Sequence, residues 1–192
     1  MYQWFIENYV EAIAALTGII AIIFQIKVNP WYWPISILNV LLYIFVFYHA
    51  RLYAEIGLQM YYLIMSLYGW FFWTKKKNDK IISVSKTFKK DWIILSIIFL
   101  PVWLFMALLL KKYSDTDVPF IDSFLTSLSF VATYLLARKK IENWLIWIGV
   151  DFSSIGLYFY KQLFATIVLF IVLTVLAFVG YKEWRKQLDA SA

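Results

Sequence analysis

The sequence contains no cysteine and only one histidine, His49. Without thiols, the chain cannot form disulfides, thiolate metal sites or cysteine nucleophiles. A single histidine without cysteine partners also argues against a zinc-type centre, which normally takes several such ligands. Charged residues are scarce as well, at 16%, against about a quarter in an ordinary soluble domain. These absences argue against the soluble metalloenzyme and thiol-enzyme classes.

Apolar and aromatic residues dominate the chain. Hydrophobic residues make up 63% and aromatic residues 21%, and the mean hydropathy is +0.72. The charges are clustered and leave apolar runs of about 18–22 residues, each long enough to cross a bilayer as a helix. Strands of a membrane barrel would alternate in polarity, and these runs do not. The pattern predicts an all-α integral membrane protein with seven transmembrane helices, near residues 9–26, 32–50, 53–74, 92–110, 120–138, 142–160 and 163–182.

Lysine and arginine are distributed unevenly over the two ends of these helices. Fourteen fall on the side that holds Lys27, the loop 74–90 and the C-terminus, whereas four fall on the other side. Because positive charge is enriched in cytoplasmic loops, we predict a cytoplasmic C-terminus and an N-terminus outside. The net charge of +6 therefore indicates topology, and no nucleic acid partner is expected.

The chain also resembles itself. "GWFFWTKK" (69–76) matches "GYKEWRKQ" (180–187) at an offset of 111 residues, and "FYHARLYA" (47–54) matches "FYKQLFA" (159–165) at 112. At the second offset, Asn39 corresponds to Asp151. We predict two three-helix repeats, 1–78 and 119–192, joined by a lysine-rich loop and a linker helix in 79–118. Parallel repeats occur in secondary transporters, and the alternative is chance similarity among aromatic helix ends.

Polar and aromatic side chains share helical faces inside three of the predicted spans. Gln59 and Tyr62 lie on one stripe of the third span, and Asn39 lies on a polar stripe of the second. Such faces are unfavourable toward lipid and should point inward. The sixth span has the longest stripe, with the spacing i, i+3, i+7, i+10 and i+14. Its members are Trp144, Trp147, Asp151, Ser154 and Tyr158.

Asp151 is the most informative residue of this stripe. A carboxylate at the bilayer centre costs about 2.5–3.5 kcal/mol on insertion scales, and no lysine or arginine lies at a comparable depth in a predicted span. An inward carboxylate without a protein cation suits a cationic ligand or a transported proton. Trp144 and Trp147 can stack on a flat cationic ring and add roughly 0.5–2 kcal/mol of cation–π attraction. The stripe therefore predicts a site for a flat organic cation.

Other interpretations of these residues remain open at the level of sequence. Tryptophans near helix ends often form an interfacial belt. Asp151 could be a structural group hydrogen-bonded to Asn39 or to a tyrosine, and Asn39 and Gln59 could instead join neighbouring helices. A proton-coupled transporter would titrate Asp151 but usually needs a relay of ionisable groups. A membrane enzyme would need an acidic site, for which an outer loop offers Asp115, Asp117 and Asp122.

"WLIWIGVD" (144–151) matches the W-x-x-W-x-x-x-N/D motif in the penultimate helix of the Pnu-type vitamin transporters. "LYAEIGLQ" and "GLYFYK" are also similar to that family, which the chain resembles over most of its length. The resemblance implies a three-plus-one-plus-three fold of SWEET-like architecture, homotrimers and a bacterial inner-membrane location. It further implies facilitated diffusion, with trapping of the substrate by a cytosolic kinase. Trp144, Trp147, Asp151 and Gln59 are implied as substrate-binding residues, with no catalytic residue, metal or cofactor.

Members of the family differ in substrate, which is chiefly nicotinamide riboside, thiamine or riboflavin. Within this resemblance, Asn at the last motif position goes with nicotinamide riboside and Asp with thiamine, so Asp151 favours thiamine. A carboxylate attracts the thiazolium of thiamine and the pyridinium of the riboside alike, whereas riboflavin is neutral and gains least. The sequence therefore ranks thiamine first and nicotinamide riboside second.

Overall fold

The computed structural model describes residues 2–49, 53–77, 80–114, 116–160, 162 and 164–190. Within these residues the chain forms seven helices and one short antiparallel pair of strands. The strands, β1 (Lys76–Lys77) and β2 (Lys80–Ile81), follow the third helix. The helices are α1 (Tyr2–Ile26), α2 (Tyr32–His49), α3 (Tyr53–Thr74), α4 (Lys89–Tyr113), α5 (Pro119–Ala137), α6 (Glu142–Tyr160) and α7 (Phe164–Ala190).

The predicted all-helical membrane architecture is confirmed, but several helices are longer than the apolar runs. α1 begins at Tyr2, and α7 continues to Ala190 through lysine and arginine positions. Hydropathy marks only the part of a helix that matches the bilayer, whereas Lys, Arg, Glu and Gln are good helix formers beyond it. Four helices are long and apolar enough to cross a membrane by length and composition, namely α2, α4, α5 and most of α7.

The chain divides into two compact units, the first ending at Ser83 and the second beginning at Val84. In the first unit, α2 packs against both α1 and α3. In the second unit, α4 packs on α5, α5 on α6, and α6 on α7. The indole N–H of Trp103 in α4 donates to the carbonyl of Phe120 in α5 at 3.0 Å. The linker helix α4 is therefore part of the second unit's packing.

The same turn ends α1 in the first unit and α5 in the second. Val28 and Lys139, which are 111 residues apart, both adopt a left-handed φ of 53°. The following N–H groups reach back five residues, from Asn29 to Phe24 at 2.9 Å and from Lys140 to Leu135 at 2.8 Å. This 6→1 bond is the signature of a Schellman cap. Neither turn uses glycine, although a non-glycine residue in this region costs roughly 1–2 kcal/mol.

In the second unit, the segment before α4 is attached to the α5–α6 turn. Ser85 forms a parallel bridge there, with its N–H donating to Lys139 O at 3.0 Å and its carbonyl accepting from Ile141 N at 3.1 Å. The Glu142 carboxylate accepts the Thr87 hydroxyl at 2.7 Å and the Thr87 N–H at 3.0 and 3.1 Å. Charge-assisted bonds of this kind are among the stronger ones. They hold the first turn of α6 in place.

Lys139 in this turn gives a pH-dependent prediction. Its side chain is 2% exposed, and burial lowers its pKa from 10.5 to about 8, because desolvation disfavours the charged form. Between those two values the unfolded chain holds the proton and the folded chain does not, so stability should rise with pH over that interval. Lys139→Met should stabilise the protein at pH 7 by about 1–3 kcal/mol.

Thermal unfolding in detergent at pH 7 and pH 10 measures this effect. The gain from Lys139→Met should be large at the lower pH and small at the higher one. The exposed Lys76 provides the control, since Lys76→Met should leave stability unchanged at both. An equal gain at the two pH values would show that burial of the charge is not its cause.

Candidate functional site

One face of α6 is buried along the length of the predicted stripe. Trp144 is 2% exposed, and Asp151 and Ser154 are each 5% exposed. Trp147 and Tyr158 on the same stripe are half-buried, whereas Phe152, the neighbour of Asp151, is 70% exposed. The 3.6-residue period thus separates a buried polar face from an apolar face that suits lipid. Asp151 lies near the middle of the helix on the buried side.

The Asp151 carboxylate is buried without compensation from the protein. In the part of the chain that the structure describes, no hydrogen bond or ion pair to this carboxylate is found. The structural alternative, a bond to Asn39 or to a tyrosine, is therefore not observed among these residues. A buried charge without a partner is strongly unfavourable. Such a group persists where a ligand or water supplies the missing interaction.

Trp144 and Trp147 occupy different surroundings although they share a face of α6. The Trp144 ring lies over Gly180 of α7, where an added Cβ would come within 2.5 Å of its Cη2 and Cζ2 atoms. The same ring meets Trp184 edge to face, with centroids 5.7 Å apart at 90°. Trp147, half-buried, has no such lid in the described residues. The two tryptophans of the motif are therefore not equivalent.

Asn39 in the first unit forms a bond between helices. Its amide nitrogen donates to the backbone carbonyl of Ala14 and to the Thr17 hydroxyl at 3.1 Å, both on α1. Thr17 itself donates to Ala14 O at 2.8 Å. Because both N–H groups of the amide are occupied by α1, the interhelical interpretation of Asn39 fits the structure better than the predicted substrate contact.

Three further predicted residues lie on the helices where the sequence placed them. Gln59 and Tyr62 are half-buried on α3, and the Tyr62 ring meets Tyr61 edge to face at 5.7 Å. Tyr158 on α6 stacks on Phe170 of α7, with ring centroids 5.1 Å apart at 25°. Their aromatic contacts lie within each unit and leave their hydrogen-bonding roles as predictions.

Burial corrects the correspondence between Asn39 and Asp151. At an offset of 111 the buried positions of the two units coincide, since Val40 is 3% exposed and Asp151 is 5% exposed. An offset of 112 would instead match buried Val40 with Phe152, which is 70% exposed. The counterpart of Asp151 is therefore Val40. The extra residue that produces the offset of 112 lies nearer the C-terminal ends of α2 and α6.

Sequence reasoning missed the serines of α5. Ser127 is 1% exposed, and its hydroxyl is buried without a hydrogen-bond partner in the described residues. It lies ten residues before the end of α5, and Asp151 lies nine after the start of α6, so both are roughly 14–15 Å from the connecting turn. The i, i+4 spacing of Ser123 and Ser127 on one helical face was the available signal.

The acidic outer loop provides little support for an enzyme site. Asp122, in the first turn of α5, accepts a short hydrogen bond from the Thr116 hydroxyl, and Asp117 is exposed. Asp115 lies outside the described residues. Among the residues that are described, no group of three or more histidine, cysteine, aspartate or glutamate side chains could hold a metal ion.

Comparison with known proteins gives a consistent result along the chain. A family model described as nicotinamide mononucleotide transporter matches residues 8–186. The nicotinamide riboside transporter PnuC of Escherichia coli is 23% identical over 205 residues, covering 92% of this chain and 85% of that protein. The riboflavin/roseoflavin transporter RibM of Streptomyces davaonensis is 25% identical over 179 residues, covering 91% and 83%. These relatives are transporters rather than enzymes.

A solved structure has the same fold. The crystal structure of the vitamin B3 transporter PnuC superimposes with a TM-score of 0.75 and 20% sequence identity, covering 96% of this chain and 84% of that one. The resemblance to Pnu-type transporters inferred from the α6 motif is thus confirmed by a match over nearly the whole chain. The chain belongs to the nicotinamide mononucleotide transporter family.

Proposed function

We propose that this protein transports nicotinamide riboside, a flat organic cation, across the membrane. The observation that carries the proposal is Asp151, a carboxylate buried at mid-helix without a hydrogen bond or ion pair in the described residues. Its charge would pair with the pyridinium of the riboside, and Trp147, half-buried three to four residues earlier on the same face, would stack on the ring. Ser154 and Tyr158 would offer hydroxyls to the carboxamide or the ribose.

The relatives reverse the order of substrates expected from the sequence. Their printed names include nicotinamide riboside and riboflavin, whereas thiamine was ranked first only because Asp stands at the last motif position. A carboxylate binds either cation, so Asp151 does not separate them on physical grounds. Nicotinamide riboside is therefore the proposed substrate, and thiamine is the competing ligand that an experiment should include.

Calorimetric titration of the purified protein with nicotinamide riboside, thiamine and riboflavin tests the proposal. Saturable binding of the riboside, with weak or absent binding of the other two, is the expected result. Asp151→Asn separates the two cations further, because an amide can both donate to and accept from the carboxamide of the riboside. The variant should retain more affinity for the riboside than for thiamine. Binding of thiamine alone by the unmodified protein would overturn the substrate.

We further propose that transport is facilitated diffusion rather than proton-coupled uptake. Asp151 is the only acidic residue of its buried stripe, and a proton relay would need further ionisable groups nearby. In proteoliposomes, entry of radiolabelled riboside should be unchanged when a protonophore collapses a pH gradient. The same protonophore should abolish uptake by a proton-coupled transporter measured in parallel. Loss of riboside entry would instead make Asp151 a proton-carrying group.

The other implications of the resemblance remain predictions. They are a homotrimer, trapping of the substrate by a cytosolic kinase, an internal three-helix repeat and a cytoplasmic C-terminus. The repeat is supported by matching turns at Val28 and Lys139 and by buried positions that coincide at an offset of 111. The orientation is supported by the excess of lysine and arginine on one side. Gln59 and Tyr62 are proposed as substrate contacts from the sequence alone.

A further inference from the structure

The tryptophan that opens the α6 motif is packed as a structural element. Trp144 is 2% exposed, lies in the groove that Gly180 leaves on α7, and meets Trp184 at 90°. With one face closed by backbone and its edge closed by a second indole, the ring has little surface to offer a ligand. A buried aromatic pair of this geometry contributes to packing in its own right.

The first unit contains the same arrangement 111 residues earlier. Trp33 on α2 is 0% exposed, and an added Cβ at Gly69 of α3 would overlap its six-membered ring. Trp33 also meets Trp73 edge to face, with centroids 5.4 Å apart at 89°. Both Trp33 and Trp144 have a buried indole N–H without a partner in the described residues. That unpaired N–H therefore accompanies the packing and is no sign of a ligand at Trp144.

The two units differ at the next two positions of the motif. Where α6 has Trp147 and Asp151, the offset of 111 places Ser36 and Val40 on α2. Ser36 pairs with the Ser66 hydroxyl at 3.2 Å, and Val40 is buried and apolar. A tryptophan common to both units thus accompanies an ionisable, aromatic face in only one of them. The feature that the units share explains their packing, and the feature that differs explains the chemistry.

We infer that Trp144 is a positioning residue, which locks α6 against α7 and thereby orients Trp147 and Asp151, and that its ring does not stack on the substrate. The inference rests on the proposed function for the identity of the ligand. Ridges and grooves set the rotation of one helix on another, and Trp144 in the Gly180 groove fixes that rotation one and two turns before the ligand-binding positions. The lock is independent of which cation binds.

A double-mutant cycle tests the lock. Gly180→Ala and Trp144→Leu should each lower the melting temperature, and the double variant should recover much of the loss, because the smaller leucine leaves room for the new methyl group. Leucine cannot stack on an aromatic ring. The double variant should therefore bind nicotinamide riboside within about threefold of the unmodified protein, since the rotation of α6 is restored. A recovered melting temperature with about tenfold or greater loss of affinity would overturn the inference.

The matched cycle in the first unit uses Gly69→Ala and Trp33→Leu. Similar recovery in both units supports one packing device used twice, and additive losses in both would overturn the lock whatever the ligand. Incorporation of 5-fluorotryptophan gives a readout that needs no recovery. On addition of the riboside the fluorine resonance of Trp147 should shift, while that of Trp144 should move no more than that of Trp33.

The fluorine experiment also separates the two proposals. A Trp144 shift as large as that of Trp147 would show direct stacking and overturn the inference while leaving the proposed function intact. If no resonance moved with the riboside, the proposed substrate would be wrong. The two temperature cycles would then still decide whether Trp144 is the lock.

Discussion

Asp151→Val should abolish most binding of nicotinamide riboside while leaving the fold intact or more stable. Valine is the residue that the first unit has at the corresponding position, Val40, where it is 3% exposed, and it is close to aspartate in size. The substitution removes the carboxylate and little else. The loss should amount to about 2–4 kcal/mol, or roughly 30- to 900-fold in Kd, as expected for a cation and a carboxylate in a partly desolvated site.

Stability should move in the opposite direction to binding. Replacing a buried charge that has no partner with an apolar side chain removes a desolvation penalty, so the melting temperature without ligand should stay the same or rise. Asp117, an exposed acid of the outer loop, provides the control, since Asp117→Val should change neither quantity. Calorimetry and thermal unfolding on the same preparations give both numbers. Unchanged riboside affinity in Asp151→Val would remove the observation on which the proposed function depends.

Gly69→Ala should destabilise the first unit far more than any ordinary helical glycine-to-alanine change. The added methyl group would overlap the ring of Trp33, which is 0% exposed and held against Trp73. A rigid buried ring cannot move away cheaply, so α2 and α3 would have to separate. Overpacking of this kind costs about 1–3 kcal/mol or more. The melting temperature in detergent should fall accordingly.

Gly57 on the same helix is the matched control, because no atom lies within 4 Å of the position that its Cβ would occupy. Alanine is the better helix former by about 1 kcal/mol, so Gly57→Ala should be neutral or slightly stabilising. Gly149 and Gly156 on α6 are equally open and should behave alike. If Gly69→Ala and Gly57→Ala had the same effect, the Trp33 contact would not limit the approach of the two helices.

Much of the architecture could be predicted because it follows from local pattern. Apolar runs marked all seven helices, and the 3.6-residue spacing placed Asp151 and Ser154 on the buried face of α6. The helix ends were less predictable, since α1 and α7 extend through polar residues that hydropathy does not count. The attachment of Thr87 to Glu142 was not predicted, because those residues are far apart in sequence and neither has a local signal.

The correspondence between the units required the fold. A shift of one residue turns a side chain by about 100° around a helix, so sequence matches at offsets of 111 and 112 gave opposite partners for Asp151. Only the burial of Val40 and the exposure of Phe152 distinguished them. The same holds for Asn39, whose amide bonds to Ala14 and Thr17 depend on how α1 and α2 approach each other.

The sequence by itself determined the class of the protein, its helices and the inward face that carries Asp151, because hydropathy and helical period depend only on residues close together in the chain. The tertiary structure alone decided what each member of that face does. Trp144 and Trp147 are three residues apart and chemically identical, yet one is closed in by Gly180 and Trp184 and the other is not. The role of an aromatic ring depends on the helix that packs against it, and neighbours in sequence carry no information about that.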